Sequence, residues 1–238
     1  MSQAALFGVL ALALVAYNVG LAAACPAPGK PLRVIEHYSS ETGFVVKEIK
    51  GVLTASECKD LIGFADAKGM FQSQVWGDEK DNENKLDETS RKSRQAWIGD
   101  TEHRVAAKMA AVSERLTGIS KDHQEQLQVA VYDPKGMFVD HFDACVGNVE
   151  NCEKMNRGAG QRRATLLVYL NDDFEGGETE FPEIGAKIKP EIGKGILFWS
   201  TREDESLIEQ SKHRGNAVVS GRKWIATKWT HIRPWPIK

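Results

Sequence analysis

The chain lacks a strong net charge, because 31 Lys and Arg nearly balance 33 Asp and Glu among its 238 residues. It also lacks a basic stripe interspersed with aromatic residues, which argues against nucleic acid as a partner. No internal repeat or low-complexity tract is present, and the apolar content is ordinary for a globular core, which argues against disorder. The length therefore predicts one sizeable folded domain once any N-terminal segment is set aside.

Cysteine is scarce as well. The four cysteines are Cys25, Cys58, Cys145 and Cys152, and none of them forms a CxxC pair, which argues against a structural zinc site. Cys145 and Cys152 flank a short loop, where they form either a disulfide in an oxidising compartment or two ordinary thiols. No N-x-S/T sequon occurs, so the composition gives no independent support for secretion.

The one long apolar run lies at the N-terminus, from Ala4 to Ala24. About 20 apolar residues suffice to cross a bilayer as a helix, so the run predicts a membrane anchor. The small residues before Cys25 also suit a signal-peptidase site, and a bacterial lipoprotein signal is a third option. Lys30 and Arg33 follow the run and no basic residue precedes it, which by the positive-inside rule favours a cytoplasmic domain. The orientation therefore stays open.

The composition divides the chain into three parts. Residues 1–24 are expected to be a hydrophobic signal or membrane-anchor segment, and residues 25–32 contain three prolines and predict a linker. Residues 33–238 are expected to form the folded domain.

Helices are predicted near the start of this domain. Thr54 and Glu57 form a capping-box pattern, and the apolar residues that follow predict a helix that ends at Gly69. A second helix is predicted from Thr101 to Leu116. Between them, Asp78 to Arg94 is dense in charge and nearly empty of large apolar groups, which predicts a long mobile loop.

The remainder of the domain has the texture of short strands separated by turn residues. Two are predicted before the first helix and eight after residue 126: Arg33–Tyr38, Phe44–Ile49, Leu127–Tyr132, Met137–Phe142, Ala164–Leu170, Glu178–Phe181, Lys187–Lys189, Gly195–Phe198, Ala217–Val219 and Trp224–Trp229. Many short strands at this spacing favour a closed or double-sheet antiparallel fold. We therefore expect an α+β domain in which N-terminal helices support a double-stranded β-helix, or jelly roll.

The chemistry centres on His141 and Asp143, with His213 72 positions after His141 and Lys223 ten positions after His213. Residues two apart in a strand point to the same face, so His141 and Asp143 are expected to point the same way. Two histidines and one carboxylate form a facial triad that leaves three octahedral positions open, as non-haem Fe(II) oxygenases require. An isolated His or Asp is more often a surface residue than a ligand, so the interpretation depends on the residues around this set.

Four blocks of sequence provide that context. They resemble the prolyl 4-hydroxylase family of 2-oxoglutarate/Fe(II) dioxygenases, the collagen and cell-wall type, in order and in spacing: Gln128 to Asp143, Arg162 to Leu170, Gly176 to Pro182, and His213 to Trp229. The resemblance implies hydroxylation of peptidyl proline to 4-hydroxyproline, with O2 and 2-oxoglutarate as cosubstrates and release of succinate and CO2. It further implies Fe(II) and L-ascorbate as cofactors, and a proline-rich peptide or protein as partner.

The resemblance also assigns residues. It makes His141, Asp143 and His213 the iron ligands, and it makes Lys223 the cation that binds the distal carboxylate of 2-oxoglutarate. The cosubstrate would also contact Tyr132 and Thr179, and the peptide would contact Arg162, Trp229 and His231. A departure occurs at Phe138, where members of the family often have Tyr. The charged loop corresponds to the region that closes over the peptide in the family, although a plain surface loop fits it equally.

Two other functions compete with this one. The same iron site would also serve oxidation of another protein side chain or of an alkylated nucleobase. A membrane-tethered jelly roll that binds proline-rich peptides or sugars without catalysis is the second, and the intact triad with Lys223 argues against it. The apolar N-terminus predicts a location at a membrane or in the secretory pathway, in the endoplasmic reticulum lumen if the source is eukaryotic and the domain faces the lumen.

Overall fold

Two antiparallel sheets pack face to face in the computed structural model, which describes residues 33–38, 43–76 and 84–236. The predicted N-terminal segment 1–24 and the linker 25–32 lie outside the described residues. Within the described residues, no helix has both the length and the apolar character needed to cross a bilayer.

The described residues form three α-helices and sixteen strands. The helices are α1 (Ala55–Lys68), α2 (Arg104–Thr117) and α3 (Val149–Asn156). The strands are β1 (Arg33–Tyr38), β2 (Val45–Lys50), β3 (Phe71–Gln72), β4 (Val75–Trp76), β5 (Asn84–Lys85), β6 (Arg94–Ile98), β7 (Leu127–Tyr132), β8 (Phe138–His141), β9 (Arg162–Tyr169), β10 (Glu175–Gly176), β11 (Thr179–Phe181), β12 (Ala186–Ile188), β13 (Gly195–Trp199), β14 (His213–Gly215), β15 (Val218–Ser220) and β16 (Lys223–His231).

The larger sheet has eight strands in the order β1-β2-β13-β9-β16-β7-β6-β3, and the smaller sheet has four in the order β12-β11-β14-β8. Two further strand pairs, β10-β15 and β4-β5, complete the described structure. All pairings are antiparallel, and neighbours such as β9 and β16 are distant in the sequence. The expected α+β jelly roll with supporting helices is therefore confirmed.

The two faces of the large sheet carry different cores. Val129 and Val131 of β7 belong to a buried cluster with residues of α1 and α2 such as Leu61 and Met109. Tyr132, from the alternate positions of β7, belongs to the cluster between the two sheets. This alternation follows from the period of two in a strand, and it leaves one face of β7 and β16 for the interior of the jelly roll.

Most predicted elements are present at the predicted places. The helix α1 begins after Thr54, whose side chain accepts a hydrogen bond from the backbone N–H of Glu57, while the Glu57 carboxylate accepts one from the backbone N–H of Thr54. The helix α2 begins later than predicted, because His103 caps it by accepting from the N–H of Val105 at 3.2 Å.

The prediction of one long loop from Asp78 to Arg94 is wrong for its second half. Residues from 84 onward include β5, a turn and the start of β6, and the Arg91 side chain is buried. A charged residue can be buried when it is paired, and Arg91 donates hydrogen bonds to Ser93 and Gln128. Residues 77–83 lie outside the described residues.

Three further differences concern the site. The strand β8 ends at His141, one residue before the predicted end at Phe142, so Asp143 lies on irregular backbone and the same-face argument for a strand does not apply to it. The short strand β14 and the helix α3 were not predicted. The helix α3 follows the metal motif closely, and the Cys145–Cys152 disulfide, with a Cα–Cα distance of 5.4 Å, ties its middle to the residues before it.

Candidate active site

Two neighbouring strands bring the two histidines together. His141 at the end of β8 lies directly opposite His213 at the start of β14, and their ring centroids are 4.2 Å apart. Asp143 follows two residues after His141 and turns its carboxylate toward both rings. One ligand atom from each of the three residues lies within 4.8 Å of the other two. The predicted triad is therefore brought together in space.

Hydrogen bonds fix which nitrogen of each ring faces the centre. The Nδ1 of His141 lies 2.8 Å from the Val139 carbonyl oxygen, and the Nδ1 of His213 lies 2.9 Å from that of Ser211. A carbonyl oxygen only accepts, so each Nδ1 carries a hydrogen, and Nε2 is the nitrogen of each ring that faces the centre. Backbone contacts of this kind are typical of histidines that bind a metal.

The Asp143 carboxylate is anchored from the opposite side. Its Oδ2 accepts a hydrogen bond of 2.6 Å from the Thr165 hydroxyl of β9, and its backbone carbonyl accepts one of 3.4 Å from Arg162. Burial would raise the pKa of this carboxyl, but His213, His141 and Arg162 outweigh burial and lower it. Asp143 is consequently an anion in a buried site.

The donor set fits a divalent transition metal. Each Nε2 lies 3.9 Å from an Asp143 oxygen, too far for a hydrogen bond but within the span of two metal–ligand bonds of about 2.1 Å each. Burial and the neighbouring His213 lower the pKa of His141 to about 3, so the imidazole is neutral, as a ligand must be. Two imidazoles and a carboxylate suit Fe(II).

Lys223 lies deeper in the same cavity and is 2 % exposed. It is the first residue of β16, and its Nζ lies 5.2 Å from the ring centroid of Tyr132 and 5.7 Å from that of Tyr169. Burial lowers the pKa of Lys223 to about 7, with the charge of Glu178 acting weakly against that shift. A buried ammonium that has no ion-pair partner among the described residues is well suited to an anionic ligand.

The space beside Lys223 is free of a side chain at Gly177. This glycine has φ +67°, and a Cβ at this position would lie 3.0 Å from Cδ of Lys223 and 2.8 Å from the Phe174 ring, so a larger residue would crowd the lysine. Thr179 also lines the cavity, where its hydroxyl oxygen accepts a hydrogen bond of 2.7 Å from Tyr169. Tyr132 lines the cavity as well, so the predicted cosubstrate residues all lie around one space.

The predicted peptide-binding residues Arg162, Trp229 and His231 also lie close together. Glu125, which was not predicted from the sequence, contacts two of them. Glu125 binds the Arg162 guanidinium, with one contact at 3.1 Å, and lies 2.9 Å from Nε2 of His231. Burial alone would raise the pKa of Glu125, but Arg162 and His231 outweigh burial and lower it to about 2. The Arg162 guanidinium in turn lies 3.8 Å from the ring centroid of Trp229.

Of these residues, Trp229 lines the cavity directly. Its indole N–H is buried and has no hydrogen-bond partner among the described residues. A buried donor without a partner is costly, so a group that accepts this hydrogen bond would stabilise the site.

A second residue missed from the sequence is Arg91, which lay in the predicted loop. Its guanidinium lies 4.9 Å from the ring centroid of Phe138, and that ring is stacked on His141 with centroids 3.5 Å apart. Arg91 also donates a hydrogen bond of 2.9 Å to Gln128. The side chains of Arg91, Phe138 and His141 therefore stack in that order and form one wall of the cavity.

Comparisons with known proteins agree with this geometry. A family model described as the 2OG-Fe(II) oxygenase superfamily matches residues 127–231. A protein of Acanthamoeba polyphaga mimivirus that carries the name prolyl 4-hydroxylase is 30% identical over 186 residues, which cover 78% of this chain and 73% of that protein. Prolyl 4-hydroxylase 3 of Arabidopsis thaliana is 34% identical over 209 residues, covering 78% of this chain and 68% of that protein.

A solved structure is similar as well. The crystal structure of the viral collagen prolyl hydroxylase of Paramecium bursaria Chlorella virus-1, in complex with 2-oxoglutarate, superimposes with a TM-score of 0.62. The two chains are 33% identical, and the match covers 77% of this chain and 94% of the viral one.

Proposed function

The chain belongs to the prolyl 4-hydroxylase family of 2-oxoglutarate/Fe(II) oxygenases, and we propose that it hydroxylates proline in a proline-rich peptide or protein. The reaction consumes O2 and 2-oxoglutarate and releases succinate and CO2, with L-ascorbate as a supporting cofactor. The observation that carries the proposal is the convergence of His141, Asp143, His213 and the buried cation Lys223 on one cavity.

Each residue has a separate task in this proposal. The two histidines and Asp143 hold the iron, which supplies the oxidation of the substrate when it is bound. Lys223 pairs with the distal carboxylate of 2-oxoglutarate, and Tyr132 and Thr179 complete the pocket around that carboxylate. The surrounding apolar rings exclude water, so the charged groups interact strongly.

The peptide is proposed to bind along the wall that contains Trp229. Arg162 is positioned by Glu125 and by the ring of Trp229, and His231 contacts the same carboxylate. The free indole N–H of Trp229 supports binding of a carbonyl oxygen at this place, since a peptide backbone presents such acceptors at every residue.

A membrane or secretory location is part of the proposal. Residues 4–24 would anchor or target the chain, and the Cys145–Cys152 disulfide is consistent with an oxidising compartment such as the endoplasmic reticulum lumen. Protease protection of the domain in sealed microsomes tests this location. Digestion of the domain from the cytosolic side would contradict it.

The reaction is tested with the full chain, Fe(II), ascorbate, 2-oxoglutarate and a poly-proline peptide. We expect succinate and a peptide that gains one oxygen atom at a proline, read by mass spectrometry. Asp143→Ala should abolish both products, while Asp140→Ala should retain them, because Asp140 is an exposed carboxylate that pairs with Arg214. Succinate production by Asp143→Ala at the wild-type rate would refute the metal assignment, and a wild-type chain that binds the peptide without turnover would support the non-catalytic alternative.

A further inference from the structure

The metal-binding carboxylate lies on backbone that no strand holds. The strand β8 ends at His141, and residues 142–148 form bends and coil before α3 begins. The two histidines, by contrast, lie in paired strands. Additional contacts must therefore fix the backbone that follows Asp143.

Gln161, immediately before β9, supplies these contacts. Its Oε1 accepts a hydrogen bond of 2.8 Å from the N–H of Cys145, and its Nε2 donates one of 3.0 Å to the carbonyl of the same residue. The side-chain amide therefore pairs with both backbone groups of Cys145, as a neighbouring strand would. Cys145 is only two residues from Asp143, and Gln161 adjoins Arg162, which donates to the Asp143 carbonyl.

Gln161 itself is firmly placed. Its backbone N–H donates a hydrogen bond of 3.0 Å to the Glu205 carboxylate, and its backbone carbonyl accepts one of 3.1 Å from Ile232. Asn156, the last residue of α3, donates to its side-chain oxygen at 3.4 Å. The position of the Gln161 amide is thus fixed, and its hydrogen bonds to Cys145 fix the backbone after Asp143.

The disulfide ties the same segment a second time. It joins Cys145 to Cys152 in the middle of α3, so the residue that Gln161 clamps is also linked covalently to that helix. Both cysteines are partly exposed, and residues 146–150 between them are exposed. The bond is therefore accessible to a small thiol, whereas the free Cys58 is buried.

We propose that Gln161 and the Cys145–Cys152 disulfide form a redox-sensitive clamp that positions Asp143 for metal binding. The inference rests on the proposed function of Asp143 as a metal ligand. A dithiol would open the clamp by exchange: it gives two electrons and two protons, becomes a cyclic disulfide, and leaves two free thiols on the protein. The backbone after Asp143 then keeps its hydrogen bonds to Gln161 but loses its covalent link to α3, and metal affinity falls.

Metal binding without turnover tests the proposal. The oxidised full chain is titrated with Co(II), and its dissociation constant and visible absorption are compared with those of chain reduced by a dithiol, alkylated and freed of reagent. Mass spectrometry of the alkylated peptides establishes that Cys145 and Cys152 are the reduced pair. We expect Co(II) to bind about tenfold more weakly after reduction, as is typical when a group behind a metal ligand is lost.

Two substitutions test the amide. Gln161→Glu keeps the acceptor for the Cys145 N–H but replaces the donor to the carbonyl with a carboxylate oxygen that repels it, and Gln161→Ala loses both contacts. Co(II) affinity should fall in both variants relative to the wild type, with a changed absorption spectrum. Glu150→Ala, on the exposed surface of α3, should bind Co(II) as the wild type does.

The outcomes separate the two proposals. If the reduced chain and Gln161→Ala both bind Co(II) as tightly as the oxidised wild type and with the same spectrum, the clamp is refuted while the metal site stands. If the oxidised wild type binds no Co(II), the metal assignment fails and the clamp fails with it. Should the alkylated protein unfold, Gln161→Glu decides the question, because it breaks the contact with the Cys145 carbonyl and leaves the disulfide intact.

Discussion

Lys223 lies directly opposite Tyr132 in the register of β16 and β7, with its ammonium 5.2 Å from the phenol ring and with no carboxylate paired to it among the described residues. Lys223 is buried in a cavity lined by ring faces and hydroxyl groups, and this burial disfavours its charged form. Its charge state in the empty site is therefore sensitive to pH near neutrality.

The first prediction concerns the pH dependence of 2-oxoglutarate binding. Lys223 has a pKa of about 7 in the free protein, so it is charged below pH 7 and becomes neutral as the pH rises. A bound carboxylate favours the ammonium and raises this pKa, so binding above pH 7 takes up a proton. We expect the dissociation constant of 2-oxoglutarate to rise with pH, by about tenfold per unit well above pH 7.

Calorimetry of the metal-loaded protein between pH 6.5 and pH 9 checks this prediction. Lys223→Met should bind weakly at every pH, and Lys189→Met, a change at an exposed lysine just after β12, should behave as the wild type does. An affinity that is constant across the range would show that Lys223 stays charged in the empty site.

A second prediction concerns the hydroxyl behind the metal carboxylate. Thr165 donates its hydrogen bond to Asp143 at 2.6 Å, and Thr165→Val removes the donor at nearly constant shape. We expect Mn(II) to bind about 10-fold more weakly, because the carboxylate loses the group that orients it. Titration followed by electron paramagnetic resonance measures the change, and an unaltered dissociation constant would mean that other contacts suffice to orient Asp143.

A third prediction concerns the peptide wall. Trp229→Phe keeps an aromatic ring against Arg162 but removes the unpaired indole N–H. Loss of one hydrogen bond to the peptide costs about 1 kcal/mol, so KM for the peptide should rise about fivefold. KM for 2-oxoglutarate should not change. Trp199→Phe is the matched control, since Trp199 stacks on Arg163 and does not line the cavity; an equal effect of both changes would argue against the proposed contact.

A fourth prediction concerns the buried acid Glu125. Glu125→Ala leaves the Arg162 guanidinium without its carboxylate, and removal of one partner of a buried ion pair lowers the free energy of unfolding by about 3–5 kcal/mol. Urea unfolding at pH 7 measures this loss, with the exposed Glu209→Ala as control. A loss no larger than that of the control would indicate that water replaces the carboxylate.

The same residue gives a pH dependence with a definite sign. The pKa of Glu125 is lowered to about 2 in the folded protein, below its unfolded value of about 4.3. Its contribution to stability is therefore complete at pH 7 and is lost as the pH falls from about 4 to about 2. The stability difference between the wild type and Glu125→Gln should shrink over that interval and stay constant between pH 5 and pH 7.

The elements that the sequence predicted well are those whose signals are local. The capping box at Thr54 and Glu57 and the runs of apolar, β-branched and aromatic residues in β7 and β16 are visible in neighbouring residues, and the structure has these elements at or near the predicted places. The strand β14 has only three residues, His213, Arg214 and Gly215, and these residues show no strand pattern in the sequence. Only its pairing with β8 and β11 reveals it.

The residues missed at the site share a different property, namely that their roles depend on distant partners. Glu125 lies 37 positions from Arg162 and 106 from His231, and neither spacing is visible as a pattern. Arg91 was assigned to a solvated loop because its neighbours are charged, yet its own contacts with Gln128 and Phe138 bury it. The metal residues were found because the family resemblance supplied the missing long-range information.

The strand β16 has one further consequence. Lys223, Ile225, Thr227 and Trp229 alternate along it and all line the cavity, so one continuous strand carries the proposed cosubstrate contact and the proposed peptide contact. Insertion or deletion of a single residue within this strand would turn every later side chain to the opposite face. A change in substrate choice that acts through β16 therefore requires substitution of individual residues and not a change in the length of the strand.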